Sequence, residues 1–370
     1  MAAIHPVVMP VWGVIMTEGT VVKWLVAEGD DITPELEIVE IETTKVTGGL
    51  EAGVSGKLRR IVADNGSTLP TGALIAVISD PEVPEAEIES FVAGAKTEVP
   101  TAPVAPPQPA TIRVGDIEIN ALRLGEDLPG TPLLLLHGFG GDLNTWLFNH
   151  GELASDRQVV AVDLPGHGGS SLAFGSGDLA SLAGIVAGTL DALGISRVHV
   201  AGHSLGGGVA LKLAELRSDR LASLTLIAPV GLGAEIGGNY IPDFIAADRT
   251  RAIKDVLGRL FADSAAVSRD MVEGVQRFKR LDGAGDALRT IADAVFPDGR
   301  QKEDLRRSLG QVPAMVIRGE ADRLVSASHV TGLPASVEVI TIADAGHMPQ
   351  MEQPGPVNQA IRRQMAKADA

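Results

Sequence analysis

The sequence predicts an α/β protein with a small all-β unit ahead of it, and three observations carry that prediction. Residues 1–80 hold short β-branched runs separated by Gly, Asp and Pro, and these runs repeat internally. Residues 81–110 shift abruptly to Pro, Ala, Val and Glu. From Thr111 onward apolar strand-like runs alternate with helical patterns, which is the grammar of a mostly parallel sheet covered by helices. The 370 residues, 45% of them hydrophobic, suffice for two domains with substantial cores.

Composition excludes several function classes. No window approaches the roughly 18 consecutive apolar residues of a membrane helix, and no basic-then-apolar leader opens the chain, so a cytoplasmic protein without a membrane partner is expected. The chain has no cysteine, which rules out a disulfide scaffold and thiolate metal or redox sites. No metal site is predicted, and any thiol chemistry must come from a cofactor or substrate. A net charge of −16 argues against general nucleic-acid binding.

In the first unit, strand candidates are Val21 to Val26, Ile38 to Ile41 and Ile75 to Ile78. The stretch W-L-V-A-E-G-D-D-I from Trp24 aligns with R-I-V-A-D-N-G-S-T from Arg60 after one inserted residue, so that Gly29 falls on Gly66 and Ile38 on Ile75. Such a repeat reads as two halves of a small sandwich, each too small to bury its apolar face alone. Lys45 stands near the midpoint, in a polar stretch joining two strand-like runs. By base rate it is a solvated lysine.

Its surroundings weaken that reading. Met9-Pro10, Met16 to Gly19, Trp24, Glu28-Gly29-Asp30, Glu42 to Lys45 and Gly56 together resemble a lipoyl domain over residues 4–79. The resemblance implies lipoate in amide linkage on Lys45. Thr44 replaces the usual Asp and Glu35 the usual Gly, while the Met pair of biotinyl domains is absent, Thr44 and Val46 standing in its place.

Residues 81–110 read as an extended, semi-rigid tether, with Ile88 to Lys96 a helix too short to stand alone. In the α/β unit, 111–370, the strand candidates are Ile117 to Leu122, Leu133 to Leu136, Val159 to Val162, Val198 to Ala201, Leu224 to Ile227, Ala314 to Ile317 and Val337 to Ile342. Leu179 to Leu193, Leu205 to Leu216 and Val357 to Met365 are helical, and residues 230–304 read as a helical cap.

The stretch Val198 to Gly208 carries the chemistry. A β-branched run stops at Gly202, Ser204 stands between Gly202 and Gly206, and a helix follows, the pattern of a serine held on a strained strand-to-helix turn. Ligands bind beyond the carboxyl ends of parallel strands, and the chemistry-bearing residues fall there: His137 to Gly141, Asp163 to Gly168, Ser204, Asp322 and His347 each follow a strand candidate. The order Ser, Asp, His makes residues 111–370 resemble an α/β-hydrolase. A serine needs a base within reach, and His347 is the candidate; His137, His167 and His203 read as structural. Asp322 is preferred to Asp163 and Asp344 as the orienting acid, because that fold supplies its acid after the penultimate strand. The backbone N–H groups of Leu205 and Phe139 would form the oxyanion hole.

Together the two modules resemble the dihydrolipoamide acetyltransferase components of acetoin dehydrogenase complexes. That resemblance implies transfer of an acetyl group from lipoyl-lysine to coenzyme A, with a thiamine-diphosphate-dependent dehydrogenase loading the arm and a flavin-dependent dihydrolipoamide dehydrogenase reoxidising it. Homo-oligomerisation is compatible with it. The usual acyltransferase signature, a histidine three residues before Asp-Gly, is absent. Two alternatives stay open: a serine hydrolase of small esters or acyl thioesters carrying an attachment domain, and a non-catalytic carrier subunit. Arg249, Arg251, Lys254, Arg277, Lys279 and Arg280 in the cap are candidate contacts to coenzyme A phosphates, weighed against ordinary solvated helix faces.

Overall fold

A computed structural model describes residues 4–10, 16, 18–43, 47–97 and 107–370. They form two compact units, Met1–Gln108 and Pro109–Ala370.

In the first unit, alternating apolar residues build β1 (Ile4–Val8), β2 (Glu18–Trp24), β3 (Asp31–Ile32), β4 (Glu37–Glu42), β5 (Thr47–Glu51), β6 (Gly56–Ile61), β7 (Thr68–Pro70) and β8 (Leu74–Ser79). They pair as two antiparallel sheets, ordered β1-β8-β6-β3 and β5-β4-β2-β7. Val21, Ile38, Ile41, Leu58, Ile75 and Ile78 are fully buried between them. The sequence repeat is a structural two-fold. Gly29 N–H donates to Leu58 O at 2.7 Å and Leu58 N–H to Asp30 O at 3.0 Å, while Gly66 N–H donates to Val21 O at 2.7 Å and Val21 N–H to Ser67 O at 2.9 Å. Gly29 and Gly66 both take positive φ, 95° and 86°, where a side chain would be strained. The inserted residue, Asn65, accepts a hydrogen bond from Trp24 N–H through its side chain. Strands β4 and β5 meet at the pair Glu42 and Thr47. Lys45, with Thr44 and Val46, lies outside the described residues.

The tether expectation needs correction over its first half. Residues Glu85–Thr97 form a helix, α1, whose Ile88 is fully buried with Val77 of β8 and Val83. Arg59 donates to Val83 O at 2.9 Å and pairs with Glu85 at 3.2 Å, and Arg60 also pairs with Glu85. Overall apolar content is low here, but Ile88, Phe91 and Val92 are spaced as one helical stripe, and the outer face of β8 gives that stripe something to cover.

The second unit contains β9 (Ala110–Val114), β10 (Ile117–Leu124), β11 (Leu133–Leu136), β12 (Val159–Val162), β13 (Val198–His203), β14 (Leu221–Ile227), β15 (Ala314–Gly319) and β16 (Glu338–Ile342). Its helices are α2 (His150–Leu153), α3 (Leu179–Ala192), α4 (Leu205–Arg217), α5 (Tyr240–Ala246), α6 (Thr250–Leu257), α7 (Arg269–Lys279), α8 (Ala284–Val295), α9 (Pro349–Glu352) and α10 (Pro354–Asp369). The sheet runs β16-β15-β14-β13-β11-β12-β10-β9. All pairings from β12 through β16 are parallel; β10 joins β12, and β9 joins β10, in antiparallel sense. The two central parallel strands β11 and β13 are buried on both faces, which explains their unbroken apolar runs. Strand β9, A-T-I-R-V, escaped sequence reading because an edge strand needs few apolar residues.

Between β14 and β15 the chain leaves the sheet to form α5 to α8, in the segment expected to be a cap. Its two ends are tied together: Gly231 N–H donates to Gln301 Oε1 at 2.6 Å, Leu305 N–H donates to Gly231 O at 2.7 Å, and Glu235 bridges to Arg300. Among the described residues no helix is long and apolar enough to cross a membrane.

If α1 is an integral layer of the first unit, Ile88→Ala should destabilise that unit by about 2–4 kcal/mol. Amide hydrogen exchange on the full chain checks it: faster exchange across β8 and α1 is expected, and unchanged exchange would return the segment to a tether.

Candidate active site

Strand β13 ends in a turn whose geometry is enforced by sterics. Ser204 adopts φ 51° and ψ −113°, a conformation L-residues rarely take and one that costs about 1–3 kcal/mol. Its backbone is held on both sides, N–H to Ile227 O at 2.9 Å and C=O accepting from Val230 N–H at 2.9 Å. A Cβ on Gly202 would lie 2.5 Å from Gly206 O, and one on Gly206 would lie 2.4 Å from Leu136 O and 2.6 Å from His137 O. Glycine at both positions is therefore a requirement of close backbone approach. The serine is left at the carboxyl end of the sheet, at the first turn of α4.

His347 and Asp322 meet in the loops after β16 and β15. His347 Nδ1 donates to Asp322 Oδ2 at 2.9 Å, with the two side chains 3% and 0% exposed. The other oxygen of Asp322 accepts from Leu324 N–H at 2.8 Å and Val325 N–H at 3.0 Å. Burial alone would push this carboxyl up, but the His347 charge, its hydrogen bond and those two N–H groups prevail and hold it below the usual carboxylate range. Because Nδ1 supplies the proton to Asp322, Nε2 is left unprotonated in the neutral ring and can accept one. The loop is fixed as well: His347 N–H donates to Leu260 O at 2.7 Å, and His347 O accepts from His203 Nε2 at 2.8 Å.

The competitors are committed elsewhere. Asp344 is exposed. Asp163 accepts from Leu143 N–H, Gly169 N–H and Asn120 Nδ2 at 2.7–2.8 Å and so holds the loops after β11 and β12. His137 Nε2 accepts from Leu164 N–H at 2.9 Å. His199 bridges Ser223 and Asp369 at the opposite end of the sheet.

The proposed oxyanion donors flank the serine. Leu205, as first residue of α4, has an N–H with no intrahelical acceptor. Phe139 follows Gly138, where a Cβ would sit 3.0 Å from Ser204 Cβ. The Phe139 ring packs on cap residues Phe244 and Phe296, with centroids 5.9 and 6.0 Å away, so cap and loop share one aromatic cluster.

Of the basic cap residues, Lys279 is not free for a phosphate. Its ammonium donates to the carbonyls of Phe244, Ile245 and Ala247, closing the end of α5, and lies 4.9 Å over the Phe244 ring. Arg249, Arg251, Lys254, Arg277 and Arg280 are exposed. Sequence reading missed Glu352, five residues after His347, whose carboxylate bonds both the histidine loop and the cap; its only signal was an acidic residue closing the otherwise uncharged M-P-Q-M-E stretch.

His150, His167 and His203 are buried and neutral, burial pushing them down to about 4, 3 and 3. Unfolded histidine titrates near pH 6.5, so between there and the folded values the unfolded chain binds the extra protons. Stability is therefore complete above about pH 6.5 and lost as pH falls. The urea midpoint of the second unit should fall steadily from pH 6.5 to 4, and His150→Gln should flatten part of the slope; a flat midpoint would contradict buried neutral histidines.

Comparison with known proteins agrees with this architecture. Residues 131–354 match the family model described as alpha/beta hydrolase fold, and residues 5–78 match the one described as biotin-requiring enzyme. A meta-cleavage product hydrolase from Pseudomonas fluorescens superposes with a TM-score of 0.62 over 70% of this chain and 98% of its own, at 20% identity, a likeness of fold. The dihydrolipoyllysine-residue acetyltransferase component of the acetoin cleaving system of Pseudomonas putida is 47% identical over 365 residues, covering 98% of both chains. The equivalent component of Cupriavidus necator is 40% identical, covering 98% of this chain and 97% of its own. With its lipoyl-type sandwich and its α/β-hydrolase unit matched end to end, the chain belongs to the family of dihydrolipoyllysine-residue acetyltransferase components of acetoin cleaving systems.

Proposed function

We propose that this protein moves an acetyl group from a lipoyl thioester carried on Lys45 to the thiol of coenzyme A, using Ser204, His347 and Asp322. The observation that carries the reading is the strained, glycine-flanked Ser204 at the same sheet end as a buried His347–Asp322 pair. A scaffold that holds a serine at positive φ is most useful if the hydroxyl attacks.

Lys45 supports the attachment by its place in the sequence: it stands between Glu42 of β4 and Thr47 of β5, near the midpoint of the internal repeat. When bound, the lipoyl group supplies a thiol that carries the acyl group. Ser204 Oγ attacks the thioester carbonyl as His347 Nε2 takes its proton, and the negative charge gathers on the carbonyl oxygen opposite the N–H groups of Leu205 and Phe139. The C–S bond breaks, the proton passes from His347 to the departing sulfur, and Ser204 holds the acyl group as an ester. His347 then takes the proton of the coenzyme A thiol, whose sulfur attacks that ester, and the proton returns to Ser204 Oγ. Asp322 keeps the imidazole in the required tautomer and stabilises it when charged. As a component of a cleaving system the protein works with other components. A thiamine-diphosphate-dependent dehydrogenase to load the arm and a flavin-dependent dihydrolipoamide dehydrogenase to reoxidise it suit this chemistry.

Quenching the protein with S-acetyl-dihydrolipoamide and no coenzyme A should trap acetyl on Ser204, detected by peptide mass. Ser204→Ala should lower acetyl transfer by several orders of magnitude, and adding His347→Ala should cost little more, since such residues act as a unit. No adduct together with a mild Ser204→Ala effect would mean direct transfer with His347 activating the thiol. Full activity in Ser204→Ala, His347→Ala and Asp322→Asn would discard the assignment. For the arm, intact mass after expression with lipoate should exceed the bare chain by one lipoyl group, and Lys45→Arg should remove that difference.

A further inference from the structure

The loop bearing His347 is held by a carboxylate outside the Ser204, His347 and Asp322 set. Glu352 Oε2 accepts from Gly346 N–H at 2.7 Å, and Glu352 Oε1 accepts from Ala262 N–H, in the cap, also at 2.7 Å. Burial pushes this carboxyl above its usual range, with the N–H groups of Ala262, Gly346 and Met348 holding it down and the Asp322 charge adding to the rise. One side chain therefore gathers the backbone N–H groups on both sides of His347, and a third from the segment packed over them. That packing is close: a Cβ on Gly346 would lie 2.6 Å from Ala262 N and 2.8 Å from Leu260 O. The same Leu260 carbonyl accepts from His347 N–H at 2.7 Å.

We infer that Glu352 is a positioning residue for the acyl-transfer reaction, tying the cap segment Leu260 to Ala262 to the His347 loop so that the imidazole is presented correctly to both Asp322 and Ser204. The inference rests on the proposed roles of Ser204 and His347 for its kinetic consequence and on the hydrogen bonds alone for its structural one. A carboxylate can accept from N–H groups at both oxygens at once. An amide of the same shape cannot, because its NH2 would face an N–H. The clamp is then lost on one side without a change in volume.

Glu352→Gln should lower kcat for acetyl transfer by up to about 10²-fold, the cost of a misplacement near 1 Å, while KM for coenzyme A changes by less than about threefold. The structural arm uses the folded protein without substrate. The His347 Nδ1–H proton, hydrogen-bonded to Asp322, should give a far-downfield NMR resonance that Asp322→Asn abolishes and that broadens or shifts in Glu352→Gln. Glu352→Asp keeps the charge but is one methylene too short to span both N–H groups, and it should reproduce the loss if Glu352→Gln fails to fold. An unshifted resonance with kcat within twofold of the unsubstituted protein overturns the inference, as does a loss that appears only as raised KM. If Ser204 gives no acyl adduct in the unsubstituted protein, the acyl-transfer reading fails, but the NMR arm still decides whether Glu352 sets the imidazole.

Discussion

The second unit depends on one close backbone approach, that of α4 to the loop after β11. Gly206 passes so near the carbonyls of Leu136 and His137 that no side chain fits, and that contact brings three pieces of the chain together. It sets the turn that forces Ser204 to positive φ, puts the free N–H of Leu205 at the helix start, and brings the loop carrying Phe139 against the serine. The strain is sustained because the Ser204 backbone N–H is bonded to Ile227, the last residue of β14, and its C=O to Val230 just beyond, and parallel pairing with β13 holds β14 in register. Energy stored in one dihedral is thus offset by hydrogen bonds and burial across three strands and a helix.

The cap belongs to the same system. Its base touches the loops that carry Asp322 and His347: Gly237 N–H donates to Leu324 O at 2.8 Å, and Leu260 O accepts from His347 N–H. Its aromatic residues pack on Phe139. With its two ends tied by Gly231, Gln301 and Leu305, the segment is held to the loops beside Asp322 and His347 as well as to itself. Lys279 illustrates the same economy, since a cation that could have faced a phosphate instead closes the end of α5 and stacks on Phe244.

The first unit solves a different problem. At its small size it must bury enough apolar surface to stay folded. Two half-sandwiches exchange hydrogen bonds through Gly29, Gly66, Val21 and Leu58, and each half covers the apolar face of the other. Helix α1 adds a third layer by covering the outer face of β8.

Periodicity, composition and order along the chain determined the two units, the parallel sheet and the positions of Ser204, His347 and Asp322, because each of those features is local in sequence. An apolar run is visible as a run, a glycine pair around a serine is visible as a motif, and the strand ends mark where loops carry chemistry. What remained hidden was set by contacts distant in sequence. Helix α1 is a helix because β8 offers it a face, β9 a strand because β10 offers it an edge, and Lys279 a cap because α5 ends beside it. Glu352 is the plainest case: ten residues of chain near it say nothing of Ala262, ninety positions away, and only the folded packing of cap on loop turns an ordinary glutamate into a clamp. Local propensity can name an element, but a single carboxylate bonding two distant N–H groups exists only once tertiary burial has removed the water that would otherwise satisfy them.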